Sequence, residues 1–162
     1  MIKDIKIKAP TIRFKGIMNF DELYKYIRGW LTSKNYHVEE PGYKDKGKEF
    51  EIKWEASKDV TEYYRYQINL KFLGWDMSKI EIIDERTKLK QILDKGRIEI
   101  TITGTLVEDY RNAWKSPLKK KLLTLYRKIT ESTRKEIQAS YVYGNVYDLY
   151  GAIKEFLNMS TK

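Results

Sequence analysis

The chain has 162 residues, 41% of them apolar and 14% aromatic, and a net charge of +9. That composition supports one folded domain, residues 1–162, with its own core, and argues against a disordered tail. There is no cysteine, which excludes disulfides, thiolate nucleophiles and cysteine–zinc sites and fits a reducing compartment.

The first eight residues alternate isoleucine with charge and lack the apolar stretch of a signal peptide. No apolar run approaches the ~20 residues of a membrane span. These features lead us to expect a cytoplasmic protein without a transmembrane segment. The charged fraction of 34% leans towards a heat-adapted source.

Ile5 and Ile7 alternate with Lys6 and Lys8, as in a strand. Pro10 interrupts it, and Ile12 and Phe14 resume on the other parity, so a bulge or second short strand is expected. Asn19 with Glu22 forms a capping box for a first helix. Its core face is Phe20, Leu23, Ile27, Trp30 and Leu31, and Asn35 ends it. Tyr36 and Val38 make a short strand closed by Pro41-Gly42. Strands follow over Phe50–Ala56 and Tyr64–Phe72, and a further one begins at Ile80 and resumes at Leu89. Asp94-Lys95-Gly96 reads as a tight turn. The clearest strand comes next, with Ile98, Ile100, Ile102 and Leu106 inward and Glu99, Thr101, Thr103 and Thr105 outward. Alternation of period two marks an antiparallel sheet with one wet face.

Ser116-Pro117 starts a helix with Leu118, Leu122, Leu125 and Ile129 along one side. Thr130, Ser132 and Thr133 are weak helix formers, so a stop or kink is expected there, and continuity over 117–139 stays open. Asn145 then caps a last helix bearing Val146, Leu149, Tyr150, Ile153, Phe156 and Leu157.

The expected class is α+β, with order β-α-β-β-β-β-β-α-α. An antiparallel sheet of five to six strands is covered on one face by an N-terminal helix and C-terminal helices. The order resembles a helix-grip (START/polyketide-cyclase-like) domain, where a C-terminal helix lies across a curved sheet. A different α+β sandwich fits the same order.

No motif carries catalysis. Gly42–Lys48 nearly spells a phosphate-binding loop, but Glu49 and a strand follow where Ser or Thr and a helix are needed, so it reads as a polar hairpin turn. His37 is the only histidine, which leaves neither a nucleophile–base pair nor a histidine metal cluster. The pairs Glu39-Glu40, Asp84-Glu85 and Glu108-Asp109 point to opposite strand faces. Glu49, Glu51 and Glu55 share a face with Lys53 between them, as on a solvated sheet. No cofactor, metal or catalytic residue is therefore assigned. Tyr63, Trp75, Trp114, Tyr141 and Tyr143 fall off the apolar stripes and suit stacking, loops or a contact surface.

Charge is concentrated. Tyr110 to Lys135 holds nine basic residues against Glu131 alone, +8 of the total +9. On the predicted helix, Lys120, Arg127 and Arg134 form one row and Lys121, Lys128 and Lys135 another, at about 10 Å spacing, opposite a leucine stripe taken to face the sheet. The leading expectation is a non-catalytic domain contacting nucleic-acid phosphates, or another anionic surface, through these six residues. Lys3, Lys6, Lys8, Arg13 and Lys15 are candidate helpers. A second expectation is a carrier, or weak enzyme, for an apolar small molecule in a cavity lined by Trp54, Tyr66, Ile68, Ile100 and Phe156. A third is a scaffold or oligomerisation module.

Overall fold

The computed structural model of the protein describes residues 5–61, 63–108, 110–111 and 116–160, and leaves out the side chains of 123, 126–135 and 159–160. The elements are β1 (Ile5–Lys8), β2 (Ile12–Met18), α1 (Phe20–Ser33), β3 (His37–Asp45), β4 (Phe50–Asp59), β5 (Tyr64–Ile83), β6 (Lys90–Glu108) and α2 (Pro117–Ser160). This is the α+β class, with an antiparallel six-stranded sheet.

β3, β4, β5 and β6 follow one another across the sheet, and β1 and β2 share the far side of β6. β2 pairs with Asp94–Ile100 and β1 with Thr103–Leu106. Pro10 lies between the two strands, and Ala9 N donates to Ile102 O at 3.1 Å. The break at Pro10 thus gives two strands on one long neighbour.

Ile52, Trp54, Ala56, Tyr66, Ile68, Leu70, Phe72, Ile98, Ile100 and Ile102 are buried beneath the helices. Their alternating neighbours Glu51, Lys53, Gln67, Asn69 and Lys71 form the polar outer face. Glu51 there meets both Lys53 and Lys71, at 3.5 and 3.7 Å. α1 buries Leu23, Ile27 and Leu31, with Asn19 Oδ1 accepting from Glu22 N at 3.1 Å. The helix ends where Asn35 takes φ 67, a conformation Asn tolerates better than most residues.

Four expectations are corrected. β3 continues through Pro41-Gly42, because β3 is an edge strand and a bulge between Glu39 and Gly42 absorbs the proline. The strand expected to begin at Ile80 is the continuation of β5 past a bulge between Trp75 and Ser78. Asp94-Lys95-Gly96 is not a turn, since it pairs with Gly16–Met18 on one side and its Asp94 and Lys95 pair with Lys79 and Ser78 on the other. The chain reverses at 84–89 instead, where Asp84 N donates to Leu89 O at 3.1 Å and Asp84 Oδ1 accepts from Arg86 N at 2.9 Å. Gly96 serves the bulge: a Cβ there would lie 2.5 Å from Met77 Sδ and 3.0 Å from the Trp75 carbonyl oxygen.

The fourth concerns the C-terminus. The backbone is helical from Pro117 to Ser160 without a stop, so both amphipathic patterns lie on one 44-residue helix. Asn145 is inside it and caps nothing. Its Nδ2 donates to Tyr36 Oη at 2.7 Å.

Candidate functional site

The C-terminal half of α2 is fixed to the inner face of the sheet. Val142, Val146, Leu149, Ile153 and Leu157 recur at helical spacing and are buried. Gly104 of β6 lets the helix come close, since a Cβ there would lie 2.4 Å from Val146 and 2.9 Å from Val142. Phe156 stacks on Tyr26 of α1 at 5.0 Å. Tyr66 Oη donates to Gln138 Oε1. Burial pushes the Tyr36 hydroxyl up to about 12, and burial likewise raises that of Tyr66.

The other half of α2 is different. Leu118, Leu122 and Leu125 are 69%, 51% and 57% exposed. The leucine stripe therefore does not pack on the sheet: every described side chain from Ser116 to Leu125 is exposed, even Thr124 in line with Val142, and helical phase also turns the stripe aside. Val142 comes 24 positions after Leu118. On a continuous helix turning 100° per residue, that puts the leucine stripe about 120° away from the docking face. One straight helix cannot turn both stripes to one sheet. The two could have packed together only if the helix had broken between them.

The same phase moves the basic rows. The Lys121, Lys128 and Lys135 positions fall in line with the docked side of α2, and the Lys120, Arg127 and Arg134 positions fall on its flank, about 80° away. Lys119, Lys120 and Lys121 are exposed. The side chains of Arg127, Lys128, Arg134 and Lys135 lie outside the described residues. Ser116 caps this end, with its Oγ accepting from Lys119 N at 3.2 Å. No acid occupies the first turn. Three lysines thus add to the positive end of the helix dipole, where acids are normally favoured.

Of the helper residues, Lys6, Lys8 and Arg13 do not join them. Lys6 and Lys8 are exposed and alternate with the inward Ile5 and Ile7, so they sit on the face opposite the helices. Arg13 is paired with Glu99 at 3.1 Å. Lys3 lies outside the described residues, as does Trp114.

No protein-family model and no curated protein sequence matches this chain. Function is therefore read from the geometry.

Beyond the leucines, the same side of α2 carries a feature not read from the sequence. Tyr143, Tyr147 and Tyr150 fall within about 40° of the Leu118 direction, and Lys154 falls in line with it. Their rings form a ladder, with centroids 4.5 Å apart for Tyr143–Tyr147 and 6.1 Å for Tyr147–Tyr150. Lys154 Nζ lies 5.2 Å from the Tyr150 ring. Tyr143 is 53% exposed.

Of the proposed cavity residues, Trp54, Tyr66, Ile68 and Ile100 are core side chains at most 5% exposed, and Phe156 packs against that core. A cleft of about 430 Å³ opens elsewhere, between α1, the β3–β4 hairpin and the bulge, with Phe20, Phe50 and Met77 among its walls. Lys79 and Asp94 pair there at 3.0 Å, and Asp94 also accepts from Phe20 N, so its charged groups already serve the fold. The Gly42–Lys48 segment is the β3–β4 hairpin, with Gly47 N donating to Asp45 Oδ1 at 2.9 Å. His37 Nε2 meets Glu39 Oε1 at 3.4 Å on the exposed edge strand. Among the described residues no three His, Asp or Glu side chains gather as a metal site, and no helix is long and apolar enough to cross a membrane.

Proposed function

We propose that this is a small, non-catalytic, cytoplasmic binding domain that holds a phosphate-rich surface with the N-terminal half of α2. The observation that supports it most is Lys119–Lys121, exposed with no acid in the first turn, at the positive end of a helix that the sheet leaves uncovered there. Such a field attracts polyanions and contacts their phosphates without reading bases. Nucleic acid belongs within this reading, through phosphates and with steep salt dependence.

The test measures binding to a generic RNA, a duplex DNA and vesicles rich in anionic lipid at low and moderate salt. The full chain should bind at least one of them, more weakly as salt rises. The variant Lys120→Glu/Arg127→Glu/Lys128→Glu should lose that binding. Absence of any polyanion binding at low salt overturns the reading.

A further inference from the structure

We infer that the phosphate surface is that of an anionic bilayer, and that the N-terminal half of α2 lies flat on it through Leu118, Leu122 and Leu125. This rests on the reading above and adds the apolar side of the same helix. Phosphate contact alone explains exposed lysines. It gives no use for three leucines turned away from the core, since a nucleic-acid backbone offers them nothing apolar to bury against. A bilayer accepts both, because apolar side chains enter the acyl boundary while lysines keep their charge among the headgroups.

Three further observations choose the bilayer over other occupants. A second copy laid in parallel on the leucine stripe would bring its own Lys119 and Lys121, which flank the stripe, towards those of the first. The charge complementarity is therefore with an anionic partner and against self-association. Every described side chain from Ser116 to Leu125 is exposed, so a flat surface can reach the leucine stripe on the N-terminal half of α2. The side that continues it carries the exposed Tyr143 and Lys154, while Tyr147 and Tyr150 there are half-buried against the core. Tyrosine favours the headgroup level, where its ring is apolar and its hydroxyl wet. Leucines towards one end and Tyr143 beyond them describe a helix whose N-terminal half sits deeper.

From Leu118 to Ile129 the stripe runs about 17 Å, well short of the ~30 Å hydrocarbon thickness. The helix lies on the membrane and does not cross it.

The experiment is co-sedimentation of the full chain with phosphatidylcholine vesicles, with and without one third phosphatidylserine, beside binding to a generic RNA. The full chain should bind the anionic vesicles at least tenfold more tightly than neutral ones. Leu122→Gln/Leu125→Gln should weaken vesicle binding tenfold or more and leave RNA binding unchanged. Leu122→Trp should bind like the native chain and show a blue-shifted, lipid-quenchable emission on anionic vesicles. RNA binding without vesicle binding, or equal vesicle binding by the double glutamine variant, overturns the bilayer and leaves the phosphate reading standing. No binding to either overturns both.

Discussion

Gly104 of β6 lies directly under Val146 of α2, so close that a Cβ on residue 104 would stand 2.4 Å from the valine Cγ2. No rotamer of a mid-helix valine clears such a contact without moving the helix, because Val142 closes the other side at 2.9 Å. Gly104→Ala should therefore cost about 1–3 kcal/mol by overpacking. Gly144→Ala, on the same helix with nothing within 4 Å of its added Cβ, should stabilise by about 0.5–1 kcal/mol through helix propensity. Urea denaturation of the two variants checks both signs.

Asn145 and Tyr36 form the polar pin of the docked helix. Asn145→Ala leaves the buried Tyr36 hydroxyl without this partner and should cost about 1–3 kcal/mol. The tyrosine also makes stability depend on pH. Its folded pKa of about 12 lies above the ordinary 10.0 because burial disfavours the phenolate. Between those values the unfolded chain has lost a proton that the folded chain keeps. The tyrosine's contribution is thus complete below pH 10 and is lost as pH rises through 12. Tyr36→Phe should flatten the stability curve over that window. Tyr24, also raised, cancels in the comparison, whereas Tyr66 interacts with Tyr36. Denaturation midpoints at pH 9, 10 and 11 would show it.

Period-two alternation located β4, β5 and β6 because one sheet face is wet, and the Asn19–Glu22 box located α1 because capping is local. What failed was non-local. Asp94-Lys95-Gly96 has turn chemistry, but β2 and β5 pair on either side of it, and two ladders outweigh a local preference. Pro41 looked like an end because it cannot donate to a ladder, yet an edge strand tolerates that. For the candidate site, the basic rows and leucine stripe were legible as patterns on a helix. Their direction was not, because it depends on whether the helix continues past Thr133. The count from Leu118 to Val142 held the signal, since it fixes the phase of one stripe against the other once the helix is unbroken. The tyrosine ladder was hidden for the same reason.

Asn35 ends α1 in a left-handed conformation, and Tyr36 N donates to Leu31 O at 3.0 Å just beyond it. A residue without Asn's tolerance for φ 67 is strained there. Asn35→Ala should cost about 1 kcal/mol, while Asn35→Gly should be neutral or slightly stabilising. Thermal unfolding by circular dichroism distinguishes the two.

Leu118, Leu122 and Leu125 test the placement of α2 independently of any ligand. Buried leucines cost about 2–5 kcal/mol each on truncation, through lost transfer energy and the cavity left behind. Exposed ones have no cavity to leave, and surface substitutions usually stay within about 0.5 kcal/mol. The helix phase turns this stripe away from the sheet, so Leu118→Gln/Leu122→Gln/Leu125→Gln should keep the native unfolding midpoint in buffer within a few degrees. Leu149→Ala, on the docked half of the same helix and fully buried, should lower it sharply. If the triple variant instead loses stability on the scale of Leu149→Ala, the stripe packs against the body and α2 must turn back on itself before Val142. Equal midpoints for the triple variant and the native chain place the leucines in solvent, free to meet a surface.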